Sequence, residues 1–297
     1  MTARPDPTLY ADPRLSGSAT RWPRGALWPN GRGLAVWVVI NVECWPFDYL
    51  GPGGMPWPQQ PPDVPNTTYR EYGNRVGVWR LMAMLDGLGV PASIALNSAV
   101  CVHRPDIVRA FIERGWDIMG HGIDQSRALN RIPPEEEAGD IEQVLDTIGA
   151  CTGARPQGWL GPGLGETARS ADLLAARGVR YLADRLDDQL PYFVATSAGP
   201  LVAVPYSLDL NDYSAFAMLA LTGAQYAEML VDQFEVLVEE AASEARVMCI
   251  PLHTYLSGVP HRCKHLAKAL AHVRAHQRTW FTTGAQIAHA FREQCRA

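Results

Sequence analysis

The sequence lacks most of what would mark it for a membrane, a nucleic acid or a nucleotide cofactor. No run approaches the roughly 20 apolar residues needed to cross a bilayer. No stripe or cluster of Lys and Arg appears, and the formal net charge is −5. A polyanionic partner is therefore not favoured, and no nucleic-acid or membrane partner is expected. Neither G-x-G-x-x-G after the first strand nor G-x-x-x-x-G-K-[ST] occurs, so dinucleotide and P-loop signatures are missing. The six cysteines (Cys44, Cys101, Cys151, Cys249, Cys263 and Cys295) form no C-x-x-C pair. In a cytosolic protein such thiols stay reduced and pack as small hydrophobes. Residues 1–25 are rich in Pro, Arg and Asp, without an apolar stretch of signal-peptide type, so a cytoplasmic location is expected.

What remains is an ordinary globular composition, 47% hydrophobic and 19% charged over 297 residues. That length suits one large α/β domain or two small ones. Pro, Gly and aromatic residues crowd segments 1–32 and 46–65. The first is expected to be an N-terminal arm, with residues 33–297 forming a single domain. The second is expected to be a long surface loop, and such loops often cover a site. Continuous apolar runs at 34–42, 116–119 and 247–252 read as strands buried on both faces of a parallel sheet. Shorter strands are expected at 92–96, 158–160, 179–182, 201–207 and 280–282. Helical patterns lie between them. In 72–88, Tyr72, Val76, Trp79, Met82 and Leu85 recur at helical spacing. Segment 104–114 has Pro105 in its first turn, and 133–152 opens on acidic residues that complement the helix dipole. Further helices are expected at 167–177, 223–241 and 261–276, with a last one reaching Arg296. This unbroken alternation predicts an α/β fold of about seven parallel strands in a closed or nearly closed barrel. An open doubly wound sheet is the alternative.

Three of the apolar runs end on a polar group. They are Asn41-Val42-Glu43-Cys44-Trp45, Met119-Gly120-His121-Gly122-Ile123-Asp124 and Ile250-Pro251-Leu252-His253-Thr254. Active sites of α/β folds are built at the carboxyl ends of parallel strands. Glu43, His121 and His253 are therefore predicted to converge in one pocket, where a carboxylate and two imidazoles suffice for acid–base chemistry. Taken singly, each histidine is as readily a hydrogen-bonded core residue; three strand ends together strengthen the catalytic reading. Cys44, beside Glu43, is read equally as a packing thiol or as a ligand or nucleophile. The cluster Gly161-Pro162-Gly163-Leu164-Gly165 is either an anion cradle at a helix N-terminus or a tight turn.

Taken in order, the Glu43 and His121 segments, Gly158-Trp159-Leu160-Gly161-Pro162-Gly163, Asp209-Leu210-Asn211-Asp212-Tyr213 and Leu252-His253-Thr254 resemble the motifs of the NodB-type polysaccharide deacetylase superfamily. Three longer segments look like its intracellular branch of metal-independent allantoinases and cyclic imide hydrolases. They are Tyr72-Gly73-Asn74-Arg75-Val76-Gly77-Val78-Trp79-Arg80, the run from Val204 to Asp212, and the run from His253 to Arg262. The resemblance covers roughly residue 34 to the C-terminus. It implies a distorted (β/α) barrel of the polysaccharide deacetylase type, hydrolysis of an amide C–N bond and a homo-oligomer. The departures are specific. The superfamily's first motif has two adjacent Asp, a base and a metal ligand; here they read Glu43 and Cys44. Its second motif has two ligand histidines; here they read His121 and Gln125. The Arg and Tyr of its third motif read Leu160 and Gly163. A divalent metal such as zinc would rest on Cys44 and His121, with Asp124 swinging in; resemblance to the metal-independent branch implies a site without one.

For amide hydrolysis this assigns Glu43 as general base, walled by Trp45 and Phe47, its pKa raised by desolvation. His253 is assigned as acid to the leaving nitrogen. His121 is read as orienting the water or the carbonyl, or as holding the far side of Glu43. Backbone N–H groups at Gly161 and Gly163 are predicted to form the oxyanion hole, Pro162 having none to give. Trp159 is expected to stack on a planar ring, Asn211 and Arg75 to bond its edge, and His261 and Arg262 to reach an anionic group. Blander readings stand beside these. Arg75 and Arg80 are equally surface helix residues, Asp209 and Asp212 turn caps, and Trp57 and Trp79 packing. Three functions follow: a hydrolase of a small cyclic amide, imide or ureide; a metal-dependent N-deacetylase of a sugar or polysaccharide; and an inactive homologue that binds a ligand.

Overall fold

The computed structural model describes residues 22–23, 25–47, 49, 60 and 62–295. Most of the expected N-terminal arm and of the 46–65 loop, including Trp57, lies outside the described residues. Strands are β1 (Leu34–Val42), β2 (Ser93–Leu96), β3 (Asp117–Gly120), β4 (Gly158–Trp159), β5 (Tyr181–Leu182), β6 (Tyr192–Val194), β7 (Leu201–Ala203), β8 (Arg246–His253) and β9 (Thr279–Thr282). Helices are α1 (Val64–Tyr72), α2 (Val78–Leu88), α3 (Ser98–His103), α4 (Pro105–Glu113), α5 (Glu137–Thr152), α6 (Ser170–Ala176), α7 (Gly223–Glu240), α8 (Thr254–Ser257), α9 (Pro260–Ala275) and α10 (Gly284–Gln294).

The strands form one nine-stranded sheet in the order β6-β7-β5-β4-β3-β2-β1-β8, with β9 beside the start of β1. All pairings are parallel except β6–β7. This is the expected distorted (β/α) barrel, with nine strands rather than about seven. The strand that no expected segment covers, β6, is a three-residue edge piece that turns back on β7.

Alternation along β1 builds two cores. Leu34, Val36, Val38, Ile40 and Val42 face the helices, whereas Ala35, Trp37 and Val39 face the barrel interior. Strand β8 divides likewise, with Met248, Ile250 and Leu252 outward and Val247 and Cys249 inward. A strand covered on both faces needs apolar residues at every position, which is why these runs are unbroken. The interior is plugged at the N-terminal ends of the strands by α10. There the Gly284 N–H donates to Ser93 Oγ at 2.9 Å and the Ala285 N–H to the Asp117 carboxylate at 3.1 Å. Ile287 and Phe291 of α10 join this inner core, as do Trp22 and Trp28 from the segment before β1. With one end filled, the other end is left for a site.

The helix expected at 72–88 begins earlier, at Val64. Asp63 caps it by accepting from the Asn66 N–H at 3.1 Å, and Pro65 sits in the first turn. It passes through a wide helical turn, Gly73–Gly77, into α2. A Cβ on Gly77 would overlap the Thr254 carbonyl oxygen, and one on Gly73 the Thr254 side chain. The glycines of this segment thus let its backbone lie directly on α8, the helix that follows His253.

Candidate active site

Parity along the strands carries the three candidate groups to the open end. Asn41 and Glu43 follow Val39 by two and four residues, so all three share the interior face of β1. His121 follows Met119 by two, and His253 follows Cys249 by four, both from interior positions. Strands β1 and β8 are in register at Asn41 and His253. Glu43, His121, Gln125 and His253 line one cavity of about 190 Å³, together with Asn41, Asn211, Gly161 and Gly163. Its walls are Trp45, Leu160, Leu164, Tyr206, Leu208, Tyr213 and Tyr255. The Arg70 guanidinium lies 3.5 Å from the centre of the Trp45 ring and braces that wall.

Both imidazoles turn Nε2 toward the same carboxylate oxygen. Glu43 Oε1 is 3.5 Å from His253 Nε2 and 3.7 Å from His121 Nε2. The other carboxylate oxygen, Oε2, accepts from the Trp45 indole N–H at 3.0 Å, and the Glu43 carbonyl accepts from Asn74 Nδ2 at 2.8 Å. His121 Nδ1 is 2.5 Å from the Leu160 carbonyl oxygen. A carbonyl only accepts, so Nδ1 carries the hydrogen and Nε2 is an acceptor in the neutral ring. His253 Nδ1 lies 2.7 Å from Asp212 Oδ1; Asp212 Oδ2 accepts from the His253 N–H at 2.8 Å and from the Ser257 hydroxyl at 2.6 Å.

These contacts set the charges. Burial alone would raise the Glu43 carboxyl, but the positive charge of His253, 3.5 Å away, outweighs it and holds it below the usual carboxylate range. The expected rise is thus reversed, because the charged His253 ring lies closer than sequence could tell. Burial opposes a charge on His253 as well, yet Glu43 and Asp212 raise it to about 10. At neutral pH the pair is carboxylate and imidazolium.

Residues 68–182 match the family model described as polysaccharide deacetylase. A protein of Schizosaccharomyces pombe, provisionally named a polysaccharide deacetylase, is 27% identical over 318 aligned residues that cover 95% of this chain and 98% of that one. PuuE allantoinase superimposes with a TM-score of 0.81 at 25% identity, over 94% of this chain and 96% of its own. A "probable polysaccharide deacetylase" from Pseudomonas aeruginosa PAO1 does so at 0.81 and 27% identity, over 90% and 93%. The chain is thus similar to polysaccharide deacetylases, over residues 68–182 by the family model.

A metal held at the positions that the resemblance implies does not fit the residues present here. Cys44 does not line the cavity of Glu43. It lines another, of about 490 Å³, with Glu71, His103, Arg104 and Asp124. Burial there, with Glu71 and Asp124 nearby, pushes its thiol up to about 12, so it stays protonated. Gln125, an amide, stands where the superfamily's second ligand histidine would be. Among the described residues no group of three or more His, Cys, Asp or Glu side chains is arranged to hold an ion.

Several expected substrate contacts fall elsewhere. Arg75 is exposed and does not line the cavity. Trp159 belongs to the outer core, its ring packed on Gly120, because Leu160 takes the inward position. His261 is exposed, and Arg262 lies over the Phe216 ring at 4.1 Å. Phe47 is exposed rather than part of the wall. The Gly161 N–H donates to Asp184 Oδ1 at 2.6 Å, so it is not free for an oxyanion. Asp212, read as a turn cap, is wholly buried behind His253. A carboxylate beside Asn211 is the available signal, but turns carry the same residues.

Proposed function

We propose that this protein hydrolyses a non-peptide C–N amide bond in a small cyclic amide, imide or ureide. The observation that carries the reading is a single carboxylate oxygen, Glu43 Oε1, faced by two imidazole Nε2 atoms whose Nδ1 atoms are both anchored. In this reaction a water bridges Glu43 Oε1 and His121 Nε2, both acceptors. Glu43 takes its proton as it attacks the ring carbonyl. His253 gives its Nε2 proton to the leaving nitrogen, and the C–N bond breaks to a ring-opened acid. Glu43 is left protonated and His253 neutral, and a proton passing between them over 3.5 Å restores both. No step runs through a metal, because the donor set for one is lacking among the described residues.

The cavity favours a small substrate. Pockets for drug-sized ligands span roughly 300–1,000 Å³, well above the 190 Å³ here, and the aromatic wall suits a flat ring. Likeness to PuuE allantoinase supports a ring ureide or its relatives. A cytoplasmic, homo-oligomeric enzyme belongs to the same proposal. The test is turnover of succinimide, glutarimide, hydantoin and allantoin, with and without chelator. The expected result is ring opening of at least one, unchanged by chelator, and reduced on the order of 10²- to 10⁴-fold in Glu43→Gln. Near-normal activity in Glu43→Gln would remove the base from this scheme.

A further inference from the structure

We propose that Gln125 donates a hydrogen bond from its side-chain amide to the carbonyl oxygen under attack. It thereby supplies oxyanion stabilisation that the Gly161 backbone does not. The inference rests on the amidohydrolase reading above. Gln125 lines the cavity beside Glu43, His121 and His253 and is only 8% exposed. Its Nε2 is buried without a hydrogen-bond partner among the described residues. Native interiors rarely leave such a donor orphaned unless it has another task. Among the described lining residues, the one other orphaned buried side-chain atom is His121 Nε2, which is an acceptor in the neutral ring.

The neighbouring amides are already engaged. Asn41 Nδ2 donates to the Leu252 carbonyl at 3.2 Å and to the Tyr206 hydroxyl at 3.4 Å, and Asn211 Nδ2 to the same hydroxyl at 3.3 Å. The Gln125 backbone is fixed as well, its N–H donating to the Cys44 carbonyl at 3.0 Å. That bond pins the Gln125 main chain to the residue next to the base, and both side chains, those of Gln125 and Glu43, line the same cavity. A donor held in place before reaction, in a site that excludes water, stabilises developing negative charge at little reorganisation cost.

The experiment compares the wild type with Gln125→Leu and Gln125→Asn. The substrates are a ring imide that the wild type opens and its monothio analogue, whose sulfur accepts hydrogen bonds poorly. Gln125→Leu is expected to lower kcat by about 10²- to 10³-fold with KM within a few fold and thermal stability unchanged. The preference for oxygen over sulfur should collapse, which a merely structural role would not cause. Activity within threefold of the wild type, or a large loss with the oxygen preference intact, overturns the proposal. Should Gln125→Leu not fold, Gln125→Asn carries the same comparison, with the same result counting against it. A wild type that opens no ring amide overturns the function itself, and with it this role. That failure is told apart because it precedes any variant.

Discussion

Asp212 gives both carboxylate oxygens to the segment that starts at His253, one to the ring and the other to the His253 main chain and the Ser257 hydroxyl. One side chain therefore orients the proposed acid and anchors α8 behind it. It is also among the groups that raise the His253 pKa. Asp212→Asn is expected to lower kcat on the order of 10²-fold or more and to move the alkaline limb of the pH–rate profile to lower pH. A profile measured across the alkaline range decides this. Activity lost with the limb in place would make Asp212 a purely structural residue.

The charge pair predicts the pH dependence of the enzyme. The plateau of kcat/KM should extend through neutrality and fall on the alkaline side near pH 10, as His253 loses its proton. The acid limb should lie below the ordinary carboxylate range, because Glu43 is held ionised. Stability follows the same groups. His253 has its folded pKa above its unfolded value of roughly 6.5, so its contribution is complete below that pH and is lost as pH rises through about 10. Glu43 contributes above its unfolded value and loses this as pH falls through its lowered one. The melting temperature of the wild type should therefore drop toward pH 11, and that of His253→Ala should drop less. Equal slopes would speak against the ion pair.

Asp184 behaves in the opposite sense. Burial, with the nearby Glu166 charge, raises it to about 8 while its Oδ1 accepts from the Gly161 N–H. Because the fold disfavours its ionisation, the cost to stability begins above the unfolded value of roughly 3.9 and grows until about pH 8. Asp184→Asn keeps an acceptor for Gly161 and carries no charge. It should melt higher than the wild type at pH 8, with the difference shrinking toward pH 4. A gap that does not change with pH would contradict this origin.

Gly77 has no room for a methyl group against the Thr254 carbonyl, and a Cβ on Gly258 would overlap the same carbonyl and the Gly77 backbone. Gly77→Ala should destabilise by about 1–3 kcal/mol, the usual cost of overpacking. It should also depress kcat, since the displaced backbone begins one residue after His253. Chemical denaturation paired with a turnover assay reads both. A variant equal to the wild type in both measurements would show that the contact yields without consequence.

Much of this arrangement was legible in the sequence because apolar runs, read for where they stop, point at strand ends. Strand β1 was bounded to the residue, and Glu43, His121 and His253 were placed at the end of the sheet where they lie. What stayed hidden depended on distances across the fold. Asp212 finds its partner 41 residues away. The sign of the Glu43 shift turns on the charged His253 ring within 4 Å. Trp159 was assigned to the wrong face because a two-residue strand has too little alternation to choose one. Arg75 looked like a binding residue through its motif, but the glycines around it are what the packing against α8 requires. Gln125 registered only as a missing ligand, since an unpartnered amide is visible only once its surroundings are.

The ionisable groups sit on strand ends whose register is fixed by ladders, whereas Trp45, Leu164, Leu208 and Tyr213 reach the cavity from connecting segments. Reactivity and selectivity therefore have separate structural owners. Trp45 bonds Glu43 and Tyr213 packs on the His253 ring, so exchange at Leu164 and Leu208 is what can resize the chamber for a different ring while the proton circuit keeps its geometry, and laboratory evolution of substrate scope would best begin there.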